Sequence, residues 1–389
     1  MERDCEKKTK MALTIIKFLP FALVGLTILL GGHYLLYRSW ASLFNLTSPA
    51  AKNILLMVLF LLAVSFFVAE VLAHFRQGIV TKSFYFVASA WVGFFINFLL
   101  AAGLIWLLGS LVKLTGISFN ARLVAAVIFF LAIIVSFYGI WNAFHTRIKN
   151  IEVSIKNLTL EWQGKTVVQL SDVHLGHIYG ADFLQGVVEK VNALQPDLVM
   201  ITGDLFDGMD GDLSGFVAPL NNIKSKEGIF FVIGNHEMYL GLARALAVLD
   251  KTKIKVLNDE FIDVDGLQIV GISYPDSRDS SITGSSKDTS AIINSFQGYD
   301  KSKPSILLHH APTNIEQAKA SGVSLQLSGH THQGQLWPLG YIIRAIFGKY
   351  SYGFYTEDDF SIYTSCGVGT WGPPMRTGNT PEIVAIKLK

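Results

Sequence analysis

The sequence predicts two fold classes in one chain. The first is an N-terminal all-α membrane domain of about four transmembrane helices, and the second is a C-terminal α/β domain. Three observations carry this. The 389 residues are 51% hydrophobic and only 16% charged, with a mean hydropathy of +0.41, too apolar for a soluble chain of this length. The apolarity is concentrated before about Phe144. Beyond it, short apolar stretches alternate with helical periodicity, the pattern of a layered α/β domain. The boundary falls at "HTRIKN", His145–Asn150, giving a membrane domain over 1–145 and a second domain over 150–389.

Four apolar runs reach the length of roughly 20 residues that a bilayer requires: Leu13–Leu36, Ile54–Ala73, Phe84–Val112 and Leu123–Trp141. The first follows a basic start, "MERDCEKKTK". It has no convincing cleavage site and more spans follow, so it reads as a retained helix. Lys and Arg in the flanks set orientation. Arg3, Lys7, Lys8, Lys10, Arg76, Lys82, Arg147 and Lys149 lie on one side, against Arg38, Lys52, Lys113 and Arg122 on the other. The expectation is a multi-pass cell-membrane protein with both termini and the second domain cytoplasmic, and the bilayer as its first partner. Glu70, His74 and Asn97 are the polar residues within spans. Such groups are functional candidates by default, but no transport pathway is visible, and structural roles fit them.

The net charge of +2 gives no electrostatic footprint for nucleic acid, so no such partner is expected. The two cysteines, Cys5 and Cys366, stand at opposite ends and read as free thiols.

In the second domain, "TVVQLSD", "PDLVMITGD", "GIFFVIGN", "KPSILLHHAP" and "VSLQLSGHTH" read as buried strands. "ADFLQGVVEKVNAL" reads as a helix with Phe183, Val187, Val188 and Val191 on one face. "FIDVDGLQIVGISY" reads as a hairpin turning at Asp-Gly, and Pro275–Asp288 as an exposed loop. Each buried strand ends in a burst of Asp, Asn or His, and in open α/β sheets ligands bind beyond the strand ends. One D-x-H has no weight, whereas five bursts in order form a constellation.

The set is Asp172, His174, Asp204, Asn235, His310, His330 and His332. Oxygen and imidazole donors without thiolate favour Mn, Fe or Zn. Seven donors are too many for one tetrahedral ion and suit two divalent ions sharing a carboxylate. Two ions roughly 3.5–4 Å apart form the clamp for in-line displacement at phosphorus, with a metal-bound hydroxide as nucleophile. His330 and His332 are i and i+2, so in an extended segment both point to one face, with Gly329 and Gly334 permitting a tight turn. Asn235 supplies a neutral amide oxygen, which keeps the site from becoming too anionic for phosphate.

The order D-x-H, G-D-x-x-D, G-N-H-E, H-x-P, G-H-x-H resembles the calcineurin-like metallophosphoesterases over roughly Ile151–Lys389. The ending "GVGTWGPPMRTGNTPEIVAI" is similar to the membrane-associated branch of that superfamily. The resemblance implies a layered α/β/β/α sandwich and a set of roles. Asp172, His174 and His332 would hold the first metal, Asp204 would bridge, and Asn235, His310 and His330 would hold the second. His236 would be the general acid or stabilise the transition state, with Asp207 orienting it through its carboxylate. The H-x-P pattern selects His310 over His309. Gly208 stands where protein phosphatases of the superfamily place an Arg, which counts against that activity. Arg376 and His177 are candidates to contact substrate, against a structural ion pair and an exposed loop position. Trp371 and the prolines before Met375 would shape the rim. Glu237 reads as a helix N-terminal residue rather than a catalyst.

The expected function is a membrane-anchored, two-metal phosphoesterase cleaving phosphodiester or pyrophosphate bonds, with a lipid-linked substrate suiting its placement. A phosphomonoesterase on soluble substrates is the alternative within the enzyme class. From another class, the chain would be an inactive membrane scaffold or sensor, against which stands the presence of every ligand position and of His236.

Overall fold

The computed structural model describes residues 25–76, 78–115, 120–208, 211–275 and 287–389. Helix α1 covers 25–43, followed by α2 (Pro49–Phe75), α3 (Ile79–Thr115) and α4 (Ala121–Ala143). Among the described residues, α2, α3 and α4 are long and apolar enough to cross a membrane. The first expected span, Leu13–Leu36, lies partly outside the described residues, as do Cys5, the basic N-terminal flank and most of the Pro275–Asp288 loop. Helix α3 is longer than its expected span. Its 37 residues extend about 55 Å at 1.5 Å per residue, more than a bilayer needs.

The chain divides into two compact units: Met1–Glu70 with Trp91–Ser136, and Val71–Ala90 with Phe137–Lys389. In the first, aromatic packing among Trp40, Phe98 and Phe129 joins α1, α3 and α4. Asn97 Nδ2 donates to Ser136 Oγ at 2.8 Å, and Ser136 Oγ donates to the Ala132 carbonyl at 2.8 Å. The expected structural role for Asn97 is therefore what its geometry supplies.

The second unit takes in the turn between α2 and α3 and the end of α4, so it opens before residue 150. The first twelve residues of α3, Ile79–Ala90, belong to it, which explains that helix's length. Its strands are β1 (Arg147–Val153), β2 (Thr166–Leu170), β3 (Leu198–Ile201), β4 (Ile229–Val232), β5 (Lys255–Leu257), β6 (Glu260–Val264), β7 (Leu267–Ile272), β8 (Ser305–His309), β9 (Leu325–Ser328), β10 (Gly353–Glu357), β11 (Phe360–Thr364) and β12 (Glu382–Leu388). Between them lie α5 (Ala181–Ala193), α6 (Val217–Asn221), α7 (Asn235–Leu240), α8 (Leu242–Leu249), α9 (Thr289–Asn294), α10 (Ile315–Ala320) and α11 (Gly340–Phe347).

These strands form two mixed six-stranded sheets, ordered β1-β12-β2-β3-β4-β5 and β10-β11-β9-β8-β7-β6. Side chains alternate across a strand, and the burial follows. Val167, Leu198, Met200 and Phe230 of the first sheet meet Ile269, Ile306, Leu308 and Leu325 of the second in one core. The opposite face of the first sheet packs on α5 through Leu184, Val187, Val188 and Val191. The outer face of the second packs on α9 and α10 through Ile293, Ile315 and Ala318. The layering is α/β/β/α. On α5 the buried residue is Leu184 rather than Phe183, which packs at the edge of that core and meets Tyr179 and Phe144. The expected hairpin is β6–β7, antiparallel, turning at Asp265-Gly266 with positive φ at both.

Candidate functional site

Strands β2, β3 and β4 run parallel in one sheet, and β7, β8 and β9 run parallel in the other. The loops leaving β2, β3, β4, β8 and β9 carry Asp172 and His174, Asp204, Asn235, His310, and His330 and His332. Backbone bonds tie these loops together: Asp172 N donates to the Gly203 carbonyl at 3.1 Å, and Gly329 N to the His310 carbonyl at 2.8 Å. All seven expected residues meet at one end of the sandwich, six of them buried and His330 half-buried.

They meet as two clusters. In one, His174 Nε2 and His332 Nε2 are 3.0 Å apart, and Asp172 Oδ1 is 3.3 Å from His332 Nε2 and 4.0 Å from His174 Nε2. In the other, His310 Nε2 lies 3.0 Å from Asp204 Oδ2 and 3.0 Å from Asn235 Oδ1, with His330 Nδ1 2.9 Å from the same amide oxygen. Asp204 Oδ2 stands between them, 4.0 Å from His174 Nε2. The donor atoms of Asp172, His174 and His332, and separately of Asp204, His310 and His330, all lie within 4.8 Å of one another.

The donor chemistry fits a divalent cation in each cluster. His310 Nδ1 donates to the Thr202 carbonyl at 2.7 Å, so a neutral ring turns the lone pair of Nε2 toward two oxygens that are themselves acceptors. Only a proton or a cation reconciles that arrangement. The charge balance agrees. Burial pushes the His310 imidazole down, yet the Asp204 carboxylate outweighs it and raises its pKa to about 10. Burial lowers His330 and His332 to about 4 and His174 to about 3, so three of the four imidazoles keep a free lone pair at neutral pH.

The backbone at these positions is unusual. Asp172, His174, Asp204, His330 and His332 all have positive φ, between 46° and 69°. Left-handed non-glycine residues cost free energy and concentrate at functional sites. His330 and His332 are therefore not two same-face residues of an extended segment, as the sequence led us to expect. The chain turns sharply after β9, and the turn sends one ring to each cluster. Gly329 has a spatial role: a Cβ there would lie 1.9 Å from Ser171 Oγ and 2.1 Å from Asp172 Oδ2.

His236 sits beside the first cluster, its ring edge-on to His174 at 4.5 Å between centroids. Its backbone N–H donates to Asp204 Oδ1 at 2.8 Å. Asp207 does hold it, but through the backbone carbonyl, 2.8 Å from His236 Nδ1. The Asp207 carboxylate faces His174 instead, 3.3 Å from Nδ1. Burial pushes that carboxyl up to about 7. Burial opposes protonation of His236, but the Asp204 and Asp207 carboxylates raise its pKa above the usual value.

Of the paired histidines in "LLHHAP", His310 enters the cluster. His309 turns away, near the Ile272 carbonyl at 3.2 Å and Thr313 Oγ1 at 3.3 Å. Glu237 is in the first turn of α7, where its carboxylate accepts the backbone N–H groups of Asp204, Phe206 and Gly234 at 3.0, 3.1 and 2.9 Å.

Two candidate substrate contacts lie elsewhere. Arg376 is fully buried. Its guanidinium donates to the carbonyls of Cys366, Gly367 and Gly369 and to Asn379 Oδ1, and Nη2 lies 3.2 Å from His332 Nδ1. No reach is left for a phosphate, and its partners are carbonyls rather than a carboxylate. His177 is half-buried: Nε2 lies 3.1 Å from the Ala73 carbonyl of α2 and the ring packs on Tyr85. The sequence reading missed Asn142 and Asn379. Asn142 Nδ2 donates to the Arg376 carbonyl at 3.0 Å and the Asn379 carbonyl at 2.7 Å. Asn379 Nδ2 donates to the His332 carbonyl at 2.5 Å. For Asn142, a polar residue directly after the apolar run Leu123–Trp141 was the available signal.

The profile of the calcineurin-like phosphoesterase family matches residues 165–334. An uncharacterized metallophosphoesterase of Helicobacter pylori is 33% identical over 267 residues, covering 67% of this chain and 69% of that protein. A transmembrane protein with metallophosphoesterase domain from Danio rerio is 32% identical over 285 residues, covering 70% of this chain and 63% of its own length. An uncharacterized metallophosphoesterase of Aquifex aeolicus is 31% identical over 273 residues, covering 67% of this chain and 98% of that protein. A solved dimetal phosphatase from Danio rerio, covering 53% of this chain and 88% of its own, has a TM-score of 0.32 at 13% identity, too distant to inform the site. Two sheets with clusters of residues able to hold metal at their strand ends fit a metal-dependent phosphoesterase, the class of the matching family. The chain belongs to the calcineurin-like phosphoesterase family, and its apolar helices make it a membrane protein of that family.

Proposed function

We propose that the chain hydrolyses phosphodiester or pyrophosphate bonds at a two-metal site beside the membrane, on a substrate that carries a lipid portion. The observation supporting this most directly is the pair of clusters sharing Asp204, whose Oδ2 faces the imidazoles of both. In this reading Asp172, His174 and His332 hold one ion, Asn235, His310 and His330 the other, and Asp204 both. Bound there, divalent Mn, Fe or Zn ions would neutralise phosphate oxygens and activate water.

The chain's own residues supply the rest. His236, anchored at Nδ1 by the Asp207 carbonyl and with its pKa raised against burial by the Asp204 and Asp207 carboxylates, gives a proton to the leaving oxygen. The Asp207 carboxylate stands 3.3 Å from His174 Nδ1, close enough to accept its N–H after a small adjustment. Arg376 donates toward His332 Nδ1 and Asn379 donates to the His332 backbone carbonyl, so together they brace the turn that carries this residue. The excess of Lys and Arg in the flanks favours the cytoplasmic side for this domain.

The test uses the full chain in detergent micelles. Hydrolysis of an aryl phosphodiester and of an aryl phosphomonoester is measured against added Mn²⁺, with Asp204→Asn as control. Faster diester cleavage, lost on chelation and in the variant, is expected. Predominant monoester cleavage would favour the phosphatase alternative. Absence of metal-dependent hydrolysis in a folded chain would favour the inactive scaffold.

A further inference from the structure

Helix α11, "GYIIRAIF", has no buried residue. Tyr341, Ile342 and Ile346 are 72%, 57% and 48% exposed, and Trp337 just before the helix is 56% exposed. Trp371, on the neighbouring loop, is 61% exposed. Contiguous apolar surface of this kind is uncommon on soluble domains and marks an interaction site.

The occupant follows from what this surface is built against. Gln335 binds the two tryptophan-bearing segments together: its Oε1 accepts the Trp371 N–H at 3.0 Å and its Nε2 donates to the Trp371 and Pro373 carbonyls at 3.1 and 2.9 Å. Trp337 N donates to Thr377 Oγ1 at 3.1 Å. The same loop is fastened to α4: Arg376 N donates to the Gly139 carbonyl at 2.9 Å, and Asn142 caps the carbonyls of Arg376 and Asn379. This part of α4 carries Tyr138 and Trp141, 49% and 51% exposed, near the end of a membrane-length helix. Aromatic residues at that position mark the headgroup level. The loop bearing Trp371 is thus pinned at headgroup depth, and α11 is pinned beside the loop.

We propose that α11, with Trp337 and Trp371, lies in the headgroup region of the bilayer as an interfacial helix. Its composition suits that place: one apolar turn after another, with Arg344 alone among charges and able to reach lipid phosphates. The helix also borders the candidate site. Phe347 packs edge-on to His330 with centroids 5.8 Å apart, and the Gly334 backbone abuts Gly340, where a Cβ on Gly334 would meet the Gly340 nitrogen at 2.3 Å. The lipid surface therefore forms one wall of the site's mouth. The corollary, that the phosphate reaches the site with its acyl part still in the membrane, rests on the function proposed above; the placement of α11 does not.

Depth in the membrane tests the placement without reference to catalysis. The full chain carrying Cys5→Ser and Ile342→Cys is labelled with an environment-sensitive fluorophore. It is placed in nanodiscs of phosphatidylethanolamine and phosphatidylglycerol, with and without bromine on the acyl chains. Leu160→Cys, at a position 79% exposed in the β1–β2 connection, is the control, and Tyr341→Cys repeats the measurement should the first variant fold poorly. The α11 label is expected to emit blue-shifted and to be quenched several-fold more by brominated lipid than the control. A water-like spectrum at 342 and 341 overturns the proposal. So does a shielded spectrum without bromine quenching, and one that depends on two chains sharing a disc would give the surface to a second copy. Asp204→Asn leaves the readout intact, so loss of hydrolysis and loss of insertion are separable.

Discussion

At Gly329 the chain has no room for a single methyl group. The Cβ of an alanine would fall inside the Ser171 hydroxyl and the Asp172 carboxylate. Neither can retreat, because Ser171 Oγ donates to Asp172 Oδ2 at 2.5 Å and that carboxylate also accepts the His330 N–H at 3.1 Å. Gly329→Ala is therefore expected to displace Asp172. Metal-dependent hydrolysis should fall with metal affinity, and the melting temperature should drop with an overpacking cost of about 1–3 kcal/mol. A variant with unchanged Mn²⁺ titration and melting would show that the loop yields. Glu237 tests a different point. Its two oxygens accept three backbone N–H groups, and an amide offers only one accepting oxygen. Glu237→Gln should leave an N–H facing an NH₂ in a buried place, a loss of about 1–3 kcal/mol, read as a lower melting temperature. Equal stability would mean that the carboxylate is already protonated and sharing its own hydrogen, in keeping with burial and Asp204 raising it to about 7.

Single elements show what was legible in the sequence and what was not. Strands β2, β3, β4, β8 and β9 and the hairpin β6–β7 were readable because apolar runs and turn residues are local properties, whereas β1, β5, β10, β11 and β12 were not read. The gathering of the seven candidate residues was readable because the folding pattern places them at successive strand ends. The shape of the ligand loops was not, since left-handed φ at Asp172, His174, Asp204, His330 and His332 is enforced by tertiary contacts against local preference. Arg376 was left between a substrate contact and a structural ion pair for the same reason: a guanidinium satisfied by carbonyls of its own loop has no sequence signal. The end of α4 was the most hidden piece, because Asn142 looks like a helix-end residue until its two bonds to the Arg376 loop are seen. Asn142→Ala removes both. The loop that braces His332 then loosens, and Mn²⁺ affinity should weaken by up to about 10-fold, the lower end of what outer partners of metal ligands contribute. Competition with a chelating dye measures this. Unchanged affinity with lowered melting would assign Asn142 to anchoring alone.

For the whole molecule, the composition step near residue 145 marks a change of solvent and not the edge of the folded unit. Strand β1 begins at Arg147 and pairs in parallel with β12 through Val153↔Leu388. A fragment starting at residue 150 would lose the Arg147, Ile148 and Lys149 pairings and the Arg147 N–H bond to the Pro381 carbonyl at 2.9 Å. A fragment starting at 145 keeps the strand but loses Phe144, which packs against Tyr179 and Phe183. It also loses the Asn142 side chain from two carbonyls of the His332-bracing loop. Buried groups left without partners cost about 1–3 kcal/mol each. The full chain should therefore bind Mn²⁺ more tightly than either fragment. The fragment from 145 should outlast the one from 150 in urea, with the difference tracking the loss of half a strand. If instead the fragment from 150 matches the full chain in Mn²⁺ affinity, the α4 end serves only as a tether, and the membrane has no grip on the chemistry through it. A graded loss would mean that the last turn of α4 belongs to the phosphoesterase domain and supports His332 through Asn142, Arg376 and Asn379.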